Sequence, residues 1–173
     1  IKGAAYNDEV RSFLAKIPIM RVWEHDVTIK SGGYFAADKD YGDIDVMAYD
    51  TSRDILYLIE CKKTNPAKNI KEMKTEMDEY LGRGDNPERD KKRALVLKHL
   101  RRHRWVTEHI NEVAKHIGVA VTPRVKSMML TATVIPTSYL KREKIPMSIL
   151  NYPELKIKGV NLLDSRKEPD LSV

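Results

Sequence analysis

The spacing of apolar residues along the chain predicts alternating helices and strands. Apolar side chains recur at intervals of three and four over residues 6–17, which predicts a helix that Pro18 ends. Residues 22–29 are rich in β-branched side chains and predict a first strand. A second strand is predicted to start at Asp43, and the uninterrupted apolar run of residues 55–59 predicts a third strand that is covered on both faces.

The second half of the chain predicts two helices and a further strand. A helix is predicted over residues 67–81, and the glycine-rich residues 82–87 end it. A long helix follows, with an apolar stripe up to Ile117 and with Gly118 just past its end. Residues 128–135 predict the next strand, after which several prolines exclude long regular elements. The predicted fold class is α/β, with a central β-sheet flanked by helices.

Length and composition are those of a soluble single domain. The chain has 173 residues, of which 42% are hydrophobic and 32% charged, and it lacks the apolar run of about 18 residues that a membrane span needs. Residues 1–164 are predicted to form one domain and the polar residues 165–173 a flexible tail. The single cysteine, Cys61, excludes a disulfide framework and favours a cytoplasmic location. Because the chain begins with Ile1, we expect a processed protein or part of a longer one, and leave open an additional domain and a homo-oligomer.

The net positive charge is concentrated in one segment. Residues 86–104 carry a net charge of +6, which equals that of the whole chain. Such a segment predicts a basic surface that binds polyanions by counterion release; a solvated helix face is the alternative. The expected nucleic-acid contacts are Arg89, Lys91, Lys92, Arg93, Lys98, Arg101, Arg102 and Arg104.

Charged residues end the most apolar strand. Glu60 and Lys62 share one face of that strand, whereas Cys61 points to the other. If the second and third strands pair as a hairpin, Asp45 reaches the same place. Two carboxylates beside an apolar sheet need water, each other or a cation to offset desolvation. Oxygen ligands with open water positions suit Mg²⁺.

These residues resemble the motif of the PD-(D/E)xK nucleases, the restriction endonuclease-like superfamily. The resemblance rests on Gly42-Asp43-Ile44-Asp45 and, fifteen residues after Asp45, on Glu60-Cys61-Lys62. It implies a restriction endonuclease-like core in the order helix, three strands, helix, strand, here with an extra long helix, around a mixed sheet. It also implies that Asp45, Glu60 and the Cys61 carbonyl hold Mg²⁺, which Mn²⁺ can replace, and that Lys62 serves the attacking water or the transition state.

The first helix departs from the pattern of that superfamily. The superfamily commonly has a glycine, two residues, an aromatic residue and then a glutamate. Here Gly3 and Tyr6 are followed by Asn7, with Glu9 two residues further on. Either Asn7 or Glu9 is therefore the candidate that completes the catalytic site, and the number of metal ions is left open.

Four other residues have weaker predicted roles. Asp43 is expected to cap the start of its strand, and Lys63, which points away from Lys62, is expected to contact phosphate or solvent. His99 and His103 stand four residues apart, but no third ligand follows nearby, so they are predicted to extend the basic face and not to bind zinc.

Together these patterns predict a metal-dependent endonuclease that hydrolyses phosphodiester bonds, as in restriction, repair or defence. DNA is favoured over RNA because most proteins with this motif act on DNA. The alternative is a catalytically inactive nucleic-acid-binding or scaffolding module of the same fold. A third reading is that the basic segment contacts an acidic protein.

Overall fold

The computed structural model describes residues 2–81, 87–135, 145–164 and 169 of the chain. The helices are α1 (Lys2–Ala15), α2 (Ile70–Leu81), α3 (Pro87–Glu108), α4 (Ile110–Ile117), α5 (Tyr152–Lys158) and α6 (Val160–Asp164). The strands are β1 (Met20–Val22), β2 (Val27–Ile29), β3 (Gly42–Ile44), β4 (Val46–Asp50), β5 (Ile55–Lys62), β6 (Arg124–Thr131) and β7 (Ser148–Asn151).

The main sheet has five strands in the order β1-β4-β5-β6-β7, whereas β2 and β3 form a separate ribbon. Strands β1, β4 and β5 pair antiparallel, and β5, β6 and β7 pair parallel. The predicted α/β class with a mixed sheet flanked by helices is therefore confirmed. Strand β5 lies in the centre, and each residue from Ile55 to Ile59 is 0% exposed, which explains its unbroken apolar run.

Helices cover both faces of the sheet. Helices α1, α5 and α6 pack on the face that carries Val46, Tyr57 and Ile59. Helices α3 and α4 and the β2–β3 ribbon pack on the opposite face, over Leu56 and Leu58. A third cluster joins α2 and α3 to β6 and β7. Because neighbouring residues of β5 point to opposite faces, the strand contributes to both major cores.

Two of the predicted strands are divided in the structure. Residues 22–29 do not form one strand, because β1 belongs to the main sheet and β2 to the ribbon. The exposed polar residues 24–26 separate them. Likewise β3 and β4 are separated by a bend at Asp45, where the chain leaves the ribbon and enters the main sheet. Asp45 thus lies at the crossing point.

The predicted helix ends and late elements agree in part with the structure. The long helix is interrupted at His109 (φ −110°, ψ 25°), which separates α3 from α4, and Gly118 ends α4 in the left-handed conformation (φ 77°) as predicted. Strand β6 begins at Arg124, earlier than expected, and ends at Thr131. None of the described helices is long and apolar enough to cross a membrane. Residues 82–86 of the predicted break and most of the predicted tail, residues 165–173, lie outside the described residues.

Candidate functional site

Asp45 and Glu60 lie close together at the end of the β4–β5 hairpin. Strand pairing ends with Val46 across from Ile59, and Asp45 and Glu60 are the next residues of the two chains beyond that pair. The main-chain N–H of Cys61 donates to Asp45 Oδ2 at 2.9 Å. The hairpin that the sequence suggested is therefore present, and it brings together two of the predicted site residues, which we call the carboxylate pair.

The carboxylate pair is electrostatically unfavourable on its own. Burial and the nearby charge of Glu60 raise the pKa of Asp45 to about 7, against the opposing effects of the Cys61 N–H and Arg102. Glu60 is itself only 8% exposed. A buried and a half-buried carboxylate that repel each other gain when a cation lies between or beside them.

Arg102 from α3 supplies positive charge to Glu60. Its Nη1 donates to Glu60 Oε2 at 3.2 Å and its Nε donates to the Tyr41 carbonyl at 3.0 Å. His99 Nε2 lies 3.0 Å from the Leu58 carbonyl, and because a carbonyl only accepts, Nε2 carries the hydrogen. His99 Nδ1 is then free to accept from Arg102 Nη1 at 3.3 Å. Arg102 is thus fixed by three acceptors.

Arg11 from α1 fixes the backbone at the crossing point. Its Nη2 donates to the main-chain oxygen of Asp45 at 2.5 Å and to the Asp26 carboxylate, and its Nη1 donates to Asp8 at 2.7 Å. Arg11 is 9% exposed. The guanidinium therefore ties α1 and the loop before β2 to the bend that orients Asp45.

Lys62 and Cys61 occupy opposite faces of β5, as predicted. Lys62 is half-buried, and within the described part of the chain its ammonium has no hydrogen-bond or ion-pair partner. Cys61 packs against the core beneath α1. Burial and the charge of Asp45 raise the pKa of its thiol, so this thiol is not a nucleophile. Its main chain is the part that faces the carboxylate pair.

The candidates in α1 are not drawn into the site. Asn7 is half-buried and Glu9 exposed, and neither makes a hydrogen bond or ion pair with Asp45 or Glu60 among the described residues. Asp43 is exposed and pairs in register with Thr28 of the ribbon. The alternation that placed Asp43 on the face of Asp45 is broken by the bend at Asp45.

The carboxylate pair has donors that suit a hard divalent cation. Asp45 Oδ1 and Glu60 Oε1 accept no hydrogen bond from any residue that the structure describes. Within the same residues, no three His, Cys, Asp or Glu side chains converge on one point. Mg²⁺ is commonly held by one or two carboxylates and keeps several waters. The oxygen donors therefore fit Mg²⁺ and not a zinc ion, which takes mainly nitrogen and sulfur ligands.

A basic cleft lies between α3 and the loop before β3, and Arg102, which pairs with Glu60, is part of its lining. Its volume is about 690 Å³. Cationic side chains and an aromatic ring dominate its lining, together with Trp105 and two acidic residues, Asp40 and Glu108. The cations and the ring are Lys39, Tyr41, Lys98, Arg101, Arg102 and Arg104. We call this surface the basic cleft.

The predicted phosphate contacts are distributed over several environments. Lys98, Arg101 and Arg104 are exposed in the basic cleft, whereas Arg102 is buried against Glu60. Lys91 and Lys63 are exposed elsewhere, Arg93 is half-buried, and Lys92 forms an ion pair with Glu79. The side chain of Arg89 lies outside the described part of the structure.

The two histidines of α3 do not extend the basic face, and that prediction is wrong. His99 is 0% and His103 4% exposed, and His103 Nδ1 lies 2.8 Å from Ser127 Oγ of β6. Both fall in phase with the buried Val96 and Val106 on the inner face of α3. This spacing was readable in the sequence and would have predicted that both histidines are buried.

Sequence reasoning also missed three contributors. Arg11 and His99 were not assigned to the site, and Tyr41 was not connected to the basic segment. The i,i+3 spacing of Asp8 and Arg11 was readable in the sequence. The contacts of Arg11 with Asp26 and of Arg102 with Tyr41 depend on tertiary packing and had no local signal.

A comparison with known families identifies one match. A family model described as anti-phage protein Upx-like matches residues 3–149. That range includes the carboxylate pair and the basic cleft. The chain belongs to this Upx-like family. No curated protein and no solved structure matches the chain.

Proposed function

We propose that this member of the Upx-like anti-phage family is a metal-dependent nuclease that cuts phage nucleic acid. The observation that carries the proposal is the proximity of Asp45 and Glu60 at the end of the hairpin, where the Cys61 N–H donates to Asp45 Oδ2, with Lys62 on the same face of β5 as Glu60. The resemblance to the PD-(D/E)xK motif supports it. The order of elements also supports it: three strands of the main sheet lie between α1 and α2 in the chain, and strand β6 of the same sheet follows the helices. DNA is the favoured substrate because most nucleases with that motif act on DNA.

In this proposal the carboxylate pair holds the metal. Asp45 Oδ1 and Glu60 Oε1 are the available oxygens, and the Cys61 N–H keeps the Asp45 carboxylate oriented. The resemblance adds the Cys61 carbonyl as a third oxygen. When bound, Mg²⁺ supplies Lewis-acid activation of the scissile phosphate and lowers the pKa of a bound water.

Lys62 contributes a positive charge that is not neutralised by a described carboxylate. Its ammonium can orient the attacking water and stabilise the negative charge that develops on the phosphorus oxygens. Arg102 neutralises Glu60 in the metal-free protein. Its guanidinium also keeps a second positive charge beside the reacting phosphate.

A cleavage assay tests the nuclease. The protein is incubated with supercoiled plasmid and with single-stranded RNA in Mg²⁺, Mn²⁺ or EDTA, beside Glu60→Ala and Lys62→Ala. Lys16→Ala is the matched control, because Lys16 is an exposed cation in the turn after α1. We expect metal-dependent nicking of plasmid by the wild type and the control, and none by the other two. Cleavage that survives Glu60→Ala would refute the assignment.

A plating assay tests the role in defence. Cells that express the wild type, Lys62→Ala or Lys16→Ala at equal levels are infected with a panel of phages. We expect fewer plaques with the wild type and the control than with Lys62→Ala. If Lys62→Ala protects cells as well as the wild type does, defence does not depend on this site.

The second candidate function is a nucleic-acid-binding module without catalysis. Two observations favour it: Arg102 already satisfies Glu60, and Asn7 stands where related nucleases have a carboxylate. This candidate predicts salt-sensitive binding in EDTA and no cleavage with either metal. It is rejected if plasmid is cut in a manner that requires Lys62.

A further inference from the structure

The exposed cations of the basic cleft form a short, straight row. Lys98, Arg101 and Arg104 recur every three residues on α3 and lie on one side of the helix. The row spans about 9 Å at 1.5 Å per residue, which is the axial length of two to three nucleotides of one strand. A row of this length matches a short stretch of one phosphate backbone.

Arg102 forms the inner wall of the cleft and keeps one donor unused. Its Nε and Nη1 donate to Tyr41, His99 and Glu60, whereas Nη2 donates to no residue that the structure describes. Nη2 lies 3.3 Å from the position that a Cβ of Gly42 would take. Because Gly42 lacks that carbon, the free edge of a buried, immobilised guanidinium remains open to the cleft.

Tyr41 gives the cleft an aromatic surface beside the cations. Its ring is half-buried, and the ammonium of the exposed Lys39 lies 5.2 Å from its centroid. Because Lys39 is exposed, its ammonium can leave this face of the ring when a ligand binds. An aromatic face next to a row of cations is the combination by which proteins hold unpaired bases and their phosphates.

We infer that the basic cleft binds an unpaired nucleic-acid strand, with one phosphate on Arg102 Nη2, the neighbouring phosphates on Lys98 and Arg101, and a base on Tyr41. This inference rests on the proposed nuclease function, because it names the substrate of that nuclease. A volume of about 690 Å³ lies in the range that encloses a small ligand, so the cleft accommodates one or two nucleotides of a strand. The cleft would then deliver a single strand to the carboxylate pair.

Binding is measured by fluorescence anisotropy in EDTA, so that cleavage does not contribute. The probes are a labelled eight-residue thymidine strand and a blunt duplex of equal length. The variant Lys98→Ala/Arg101→Ala removes two exposed cations of the cleft. Its matched control, Lys16→Ala/Lys158→Ala, removes two exposed cations, one from the turn after α1 and one from α5; both helices pack on the opposite face of the sheet. Circular dichroism confirms that both fold.

The expected result is weaker binding of the strand by about tenfold or more in Lys98→Ala/Arg101→Ala and by less than about twofold in the control. Tyr41→Leu is expected to weaken strand binding by about tenfold, as loss of one stacked base does. The wild type is expected to bind the duplex more weakly than the strand. Equal losses in both double variants, or a duplex bound as tightly as the strand, would overturn the inference.

Two further arms separate possible causes. Inorganic phosphate is titrated against the labelled strand; if phosphate competes with an affinity equal to that of the strand, the cleft binds only a phosphate ion and the inference fails. The same variants are assayed for cleavage of plasmid in Mg²⁺. If strand binding depends on the cleft cations and no cleavage occurs, the inference is supported and the nuclease proposal is rejected. If plasmid is cleaved but strand binding does not depend on the cleft cations, the nuclease proposal is supported and the inference is rejected.

Discussion

Replacing Arg102 by methionine isolates the charge that stabilises the carboxylate pair. Methionine retains much of the aliphatic stem and removes the guanidinium. The ion pair with Glu60, at 3.2 Å, has a Coulomb energy of about 5 kcal/mol at an effective dielectric constant near 20. Part of this offsets the desolvation of the two charges, since their side chains are only 8% and 11% exposed.

The expected loss of unfolding free energy is about 3 kcal/mol in Arg102→Met, because Glu60 is left charged and buried. Glu60→Gln is expected to lose about 1 kcal/mol, since the neutral amide still accepts a hydrogen bond from Arg102 and no longer repels Asp45. The double variant is expected to lose about 2.5 kcal/mol in total, well below the sum of the two. Arg101→Met, at the exposed neighbouring position, is expected to change stability by less than about 0.5 kcal/mol.

The assay is urea unfolding in EDTA at pH 7.5, followed by tryptophan fluorescence and analysed as a double-mutant cycle. A coupling energy of about 1.5 kcal/mol or more between Arg102 and Glu60 is predicted. If the two single losses add to within about 0.5 kcal/mol, Arg102 does not stabilise the carboxylate pair, and the electrostatic reasoning is refuted.

Three further predictions follow from named contacts. Burial and His99 lower the pKa of His103 to about 4, so its neutral form contributes stability above pH 6.5 that is lost as the pH falls towards 4. We therefore expect that, between pH 7 and pH 5, His103→Asn loses about 2 kcal/mol less unfolding free energy than the wild type does. Urea unfolding at the two pH values measures this difference. An equal loss in both would contradict this. Gly42→Ala should lower the unfolding free energy by about 1–2 kcal/mol, because Gly42 has a φ of 85° and lies beside Arg102. Gly3→Ala should not lower it, because Gly3 lies in α1 with open space around the added carbon. Mg²⁺ at ten times its dissociation constant should raise the Tm of the wild type by about 4 °C and leave Asp45→Ala unchanged; equal shifts would place the metal elsewhere.

The local patterns were sufficient to predict the centre of the fold. The apolar run of residues 55–59 marked the central strand because a strand covered on both faces has no polar side. The alternation of Glu60, Cys61 and Lys62 correctly gave the face of each side chain. The hairpin that brings Asp45 to Glu60 followed from the short turn between two strands.

The parts that failed depend on how elements are rotated and joined. A strand pattern does not show that the chain changes sheets at a bend, as it does at Asp45. A basic segment does not show which cations turn inward, so Arg102 was grouped with the exposed Lys98 and Arg101. Helices α3 and α4 were predicted as one helix because His109 is neither a glycine nor a proline, the residues that break helices locally.

The most direct test of the central claim is the single-turnover rate of strand cleavage by Lys62→Met. Lys62 is the predicted catalytic lysine, and its ammonium has no ion-pair partner among the described residues. Loss of a group that stabilises transition-state charge lowers catalytic rates by about 10²–10³-fold. We expect that loss for Lys62→Met, with strand binding in EDTA unchanged, and a wild-type rate for Lys16→Met. A Lys62→Met rate within about twofold of the wild type would contradict the assignment of this site as the catalytic centre.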